Sequence, residues 1–240
     1  MLSYALGEVF EALSIRNDLP AIEVARREYV YLPLIEDNVK GLAVYKVLTA
    51  DPSEYVGIIA NVYAGKNEAR VENPTEEMRM KARMSYRLLK AFHTVPGADS
   101  DGVIDGAVLK DWVVKARALA NERDRTDIVD EFIGQLLAHS KPVPESGFWP
   151  QAAVANLLDE IASDALDHGM EIERFNMRGA HWRGIGEGGS QERALAATYR
   201  GWAEQTSSAR TTEMLERIAR GWDADADRED VRAEQEMLKR

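Results

Sequence analysis

Arg178-Gly179-Ala180-His181-Trp182-Arg183-Gly184-Ile185-Gly186-Glu187-Gly188-Gly189-Ser190-Gln191-Glu192 is the stretch on which the fold turns. Its glycines resemble a phosphate-cradling loop, and they run into a helix whose first amides, near Ser190 to Glu192, could hold an anion. A dinucleotide fold needs a strand before such a loop and a ribose-binding acid within a βαβ unit. What precedes this stretch has helical periodicity, and Glu187 would repel a phosphate. The segment is therefore expected to be a glycine elbow joining two helices of an all-α protein.

Apolar residues spaced by three and four run outward from the elbow in both directions. Downstream, helices are expected over residues 191–205 and 211–238, the second carrying a solvated, oppositely charged face from Asp223 onward. Upstream, Pro150 starts a helix that reaches Asp167, Gly169 allows a bend, and residues 170–177 continue it. The Pro/Gly/Ser connector over residues 141–147 divides the chain into helical regions 1–140 and 148–240, or lies within one continuous domain. Before it, Asp124 or Thr126 opens a helix to Ala138, and Asp105 caps one over residues 107–121. Asn73-Pro74-Thr75-Glu76 starts a long helix through Phe92 that Val95-Pro96-Gly97 stops. Asp51-Pro52 leads into a β-branched helix through Tyr63. Residues 2–13 and 21–34 supply two more, the latter closed by Pro33 and Asp37-Asn38. The expected architecture is nine to eleven helices in stacked antiparallel hairpins, an α-solenoid-like or irregular helical bundle. Arg200-Gly201-Trp202-Ala203 recurs as Arg220-Gly221-Trp222-Asp223, and glycines inside helices suggest close helix approach there.

Composition excludes several classes. The net charge of -11 opposes binding to duplex nucleic acid or an anionic membrane, so neither is an expected partner. The absence of cysteine removes disulfides, thiolate metal sites and cysteine nucleophiles. The amino terminus has no basic region before its apolar pattern, and no run is long enough to span a bilayer, so a cytoplasmic protein is expected.

The motifs carry little chemistry. Residues 99–105 match the middle of an EF-hand loop, but Gly97 and Val108 stand where its strongest ligands belong, and Asp105 is read as a helix cap. Asp223, Asp225, Asp227 and Glu234 have EF-hand spacing without the turn glycine. Glu160, Asp164 and His168 fall on one helix face, with Glu171 near them, yet no second histidine joins them, and His93, His139 and His181 lie in unrelated contexts. No catalytic residue, metal or cofactor is expected. The candidate binding residues are those of the elbow, Arg178, His181, Trp182, Arg183 and Ser190. Tyr29 to Ile35 is a candidate partner groove, read first as core.

Segments 28–35, 86–89, 105–113, 178–192 and 199–203 resemble the carboxy-terminal region of a group of long, largely uncharacterised bacterial proteins, some called regulators for an amino-terminal helix-turn-helix. The resemblance implies a carboxy-terminal fragment or shortened homologue with a scaffold or regulatory role, and it carries over no catalytic residues. The expected function is accordingly a protein-binding module, with a protein partner of unknown identity. An anion- or nucleotide-binding domain, or an enzyme, using the 178–192 elbow is the alternative.

Overall fold

The computed structural model describes residues 2–16, 18–32, 42–69, 71–184 and 186–238. Eleven α-helices and no β-strand are found among them: α1 (Leu2–Ser14), α2 (Ala21–Tyr31), α3 (Ala43–Ala50), α4 (Pro52–Ala60), α5 (Glu76–Ala91), α6 (Gly106–Glu122), α7 (Thr126–Ala138), α8 (Ala152–Ile161), α9 (Asp164–Asn176), α10 (Ser190–Gln205) and α11 (Ala209–Met237). The chain is an all-α helical bundle. No described helix is long and apolar enough to cross a membrane.

Caps written in the sequence set several starts. Asp51 accepts the Ser53 N–H at 2.8 Å with Pro52 in the first helical position, and Asp105 accepts from Ala107 at 2.9 Å and Val108 at 3.2 Å. The start at residues 73–76 is capped by Thr75, which accepts the Met78 N–H at 3.2 Å. Asp124, one of the two expected openers of α7, instead has φ 52° and binds Asn67, whose backbone N–H donates at 2.8 Å. The expected closure of the second helix at Pro33 and Asp37-Asn38, and residues 33–35 of the 29–35 run, lie outside the described residues; α2 ends at Tyr31, and Val30 and Tyr31 of that run are exposed while Leu32 is buried.

The expected bend at Gly169 is corrected. The break falls at Ala162, which takes the left-handed conformation with φ 50°, and Gly169 lies inside α9. There it serves close packing. A Cβ on Gly169 would overlap the Glu131 carbonyl, 2.8 Å from its carbon, and one on Gly134 would lie 2.9 Å from the Met170 nitrogen. α7 and α9 thus touch backbone to backbone. They form one of the two most closely packed helix pairs, the other being α10 with α11.

One apolar core extends from Phe10 to Trp222 and includes residues from both sides of the 141–147 connector. Gln151 stitches that connector to the turn before α6: its side-chain amide donates to Gly102 O at 2.7 Å and Lys141 O at 2.9 Å, and its carbonyl accepts the Ile104 N–H at 3.1 Å. The two Arg-Gly-Trp copies have different surroundings. A Cβ at Gly201 would meet nothing, whereas one at Gly221 would strike the Phe175 ring. Trp222 is buried against Phe175 at 4.6 Å, while Trp202 packs edge-on to Tyr199 at 5.1 Å.

Candidate functional site

The elbow leaves α9 at Asn176 and enters α10 at Ser190. Three of its glycines, Gly179, Gly186 and Gly188, have positive φ, which explains the glycine density. Gly189 lies against α11 so closely that a Cβ would be 2.6 Å from the Ala226 carbonyl carbon, and its N–H donates to Asp230 Oδ1 at 2.7 Å.

At its centre is Glu192, with 0% exposure, on the first turn of α10. Its Oε1 is bonded by both Arg178 and Arg183, and His181 Nε2 lies 3.9 Å away. Arg183 also pairs with Glu229 on α11. Arg178 donates to Gln191 Oε1 at 3.3 Å and covers the Trp222 ring, 5.2 Å from its centroid. Burial opposes ionisation of Glu192, but the Arg178 hydrogen bond, its own backbone N–H and the two guanidinium charges hold its carboxyl below the usual carboxylate range.

Glu187, expected only to repel a phosphate, closes the loop on itself. It accepts the Gly184 N–H at 2.6 Å, the Gln191 amide at 2.9 Å and the Ser190 hydroxyl at 3.3 Å. Arg178, His181 and Arg183 are therefore gathered around Glu192, whereas Ser190 binds Glu187; both arginines face carboxylates. An incoming anion would compete with Glu192 and Glu229. Trp182 alone points away: its carbonyl accepts from Gln191 at 2.9 Å, yet the residue is 96% exposed. Beside it a groove of about 460 Å³ is lined by polar and charged residues including His181, Arg183, Glu229 and Arg232.

The other acidic motifs have local uses. Asp99 Oδ1 accepts the N–H groups of Asp101 at 3.0 Å and Val103 at 2.9 Å. The break at Ala162 separates Glu160 from Asp164, so they do not share one continuous helix. Glu160 pairs with Lys110 at 2.6 Å, Asp164 with Arg210 at 2.9 Å and Glu171 with Arg217 at 2.6 Å. Asp227 pairs with Arg193 at 3.0 Å.

A second cluster had no signal in the sequence. His93, just beyond α5, His139, at the end of α7, and Glu173 of α9 each offer a ligand-type atom, all within 4.8 Å of one another. The imidazoles stack at 3.6 Å, and His139 Nε2 lies 3.0 Å from Glu173 Oε1. Asn176 donates to Glu173 Oε2 at 3.3 Å, and the Lys90 ammonium is 3.9 Å from that oxygen. Burial opposes ionisation of Glu173, but these partners, His139 first, hold it below the usual carboxylate range. Desolvation and then the neighbouring His139 push His93 down, favouring its neutral imidazole.

No protein-family model matches the chain, and the curated proteins and solved structures compared with it give no match.

Proposed function

We propose that this chain is a helical protein-binding module that offers Trp182 as the anchor for a partner chain. The supporting observation is an indole that is 96% exposed on a loop whose neighbours are fixed by part-buried ion pairs to the buried Glu192. Burying a large apolar side chain is worth about 1.5–3 kcal/mol, a gain this residue forgoes until something covers it. Tryptophans are enriched among the residues that dominate interface energetics, and a pre-ordered loop lowers the cost of docking. The net charge of -11 and the acidic face of α11 favour a partner with an apolar pocket rimmed by basic residues. That partner is a separate chain or an amino-terminal part of the same system, in keeping with the resemblance to the ends of long bacterial proteins. The pairing of Arg178 and Arg183 with carboxylates weighs against the anion-binding alternative.

The test compares immobilised wild-type chain with Trp182→Ala in quantitative capture of proteins. At least one protein should be retained about tenfold less by the variant, as for an anchor worth more than about 1.4 kcal/mol. Equal retention of every captured protein by both baits defeats the reading.

A further inference from the structure

We propose that His93, His139 and Glu173 form a binding site for a divalent transition-metal ion, with Zn²⁺ as the best-matched ion. Two imidazoles and one carboxylate, without thiolate, suit zinc and neighbouring first-row ions better than the all-oxygen-seeking Mg²⁺ or Ca²⁺. Three protein ligands also leave a tetrahedral ion one open position.

The spacing is near that of a bound site. Zinc–ligand bonds of about 2.1 Å at tetrahedral angles place ligand atoms about 3.4 Å apart. His139 Nε2 and Glu173 Oε1 are 3.0 Å apart, so a few tenths of an ångström would admit the ion between them at the expense of their hydrogen bond. The stacked rings need a larger adjustment: His93 must turn out of the parallel arrangement to aim a nitrogen at the same point. Its exposure on one side allows that. The cavity bounded by these residues has a volume of about 10 Å³, the scale of one ion or water and too small for an organic ligand.

The supports of the ligands are of the kind that metal sites use. Asn176 holds Glu173 Oε2 and leaves Oε1 toward His139. Arg174, the residue after Glu173, donates to Ala138 O at 3.3 Å, to the Tyr199 hydroxyl at 2.7 Å, and covers Trp149 at 4.3 Å. It thereby fixes the register of α9 beside His139. Phe92, buried and 5.8 Å from the Tyr55 ring, anchors the chain just before His93. One group opposes the ion: the Lys90 ammonium beside Glu173, also bonded to Gln135 at 3.2 Å. That side chain is 40% exposed and can move outward.

The experiment uses the full chain stripped with chelator and then titrated with Zn²⁺ by calorimetry, with Co²⁺ absorption as a second reading. One ion per chain should bind. The melting temperature should rise by roughly 5 °C or more at about 100 times Kd, and Mg²⁺ should give no rise. Glu173→Gln, which keeps an acceptor for His139, and His93→Ala should each weaken binding at least about tenfold. Lys90→Ala should bind as well as or better than wild type, and His168→Ala/His181→Ala should be unchanged. Absence of stoichiometric binding overturns the proposal, as does equal affinity in wild type, Glu173→Gln and His93→Ala. The Co²⁺ complex should show the visible absorption of a four-coordinate site; a pale octahedral spectrum also counts against it.

Discussion

Glu28, wholly buried on α2, accepts the backbone N–H of Ala43 at 2.9 Å through one carboxylate oxygen, and its second oxygen takes the Val44 N–H at 2.7 Å. It therefore caps α3 from another helix. Glu28→Ala would leave two buried amides without partners, each costing about 1–3 kcal/mol, and relief of the burial that opposes the Glu28 charge offsets part of this, so a net loss of about 2–4 kcal/mol is expected. Urea unfolding with an unchanged slope checks it. A loss below about 0.5 kcal/mol, the level of ordinary surface substitutions, would show that water replaces the cap.

The glycines should divide by sign. Gly134→Ala and Gly169→Ala each force a Cβ into the backbone of the facing helix, and the α7–α9 pair must separate to relieve it. Overpacking of this sort costs about 1–3 kcal/mol, and here the obstacle is backbone and cannot change rotamer. Gly201→Ala meets no atom within 4 Å and should stabilise α10 by about 0.5–1 kcal/mol through helix propensity. Thermal melts of the three variants decide the matter; a destabilised Gly201→Ala contradicts the packing described.

Where a helix carried its own stop and start signals, the sequence revealed it, as at Asp51-Pro52 and Asp105. α3 escaped notice because Leu42 stands at its cap position and the acceptor is Glu28. At Gly169 the sequence points to a bend because flexibility and close approach both select glycine, and only the facing Glu131 carbonyl distinguishes them. The glycines show the elbow between two helices, but not the side chains that hold it. Glu229 and Asp230, which bind it, share the helical charge pattern of α11 and looked like solvated face. His93, His139 and Glu173 belong to three separate elements, so no local spacing could connect them.

Trp182 and Arg183 are adjacent, and the structure assigns them opposite consequences. Trp182→Ala removes an exposed ring and should change stability by less than about 0.5 kcal/mol. Arg183→Ala leaves Glu192 with Arg178 as its remaining hydrogen-bonded cation and Glu229 with Arg232, for an expected loss of about 1–3 kcal/mol. Denaturant midpoints compare them directly. If Trp182→Ala proves the more damaging, the indole is part of the core and cannot serve as a free anchor.

Glu192 also sets an acid limit on the elbow. Its folded pKa lies below the ordinary carboxylate value, because Arg178 and Arg183 outweigh the effect of burial. The unfolded chain then binds more protons than the native one in this window, so stability rises with pH there. The contribution is complete above the ordinary value of about 4.3 and is lost as pH falls through the depressed folded value. Glu192→Gln abolishes that titration while keeping an acceptor. His181, 3.9 Å from the same carboxylate, is replaced by alanine in both proteins so that Glu192 alone is read. Arg178, Arg183 and Glu229 stay in place as the charged surroundings from the elbow and α11. Unfolding midpoints measured from pH 7 down to about 3 should show a stability gap between the two proteins that is widest near neutrality and closes in acid. A gap that stays constant across this range would mean that the ion pairs around Glu192 contribute shape without charge.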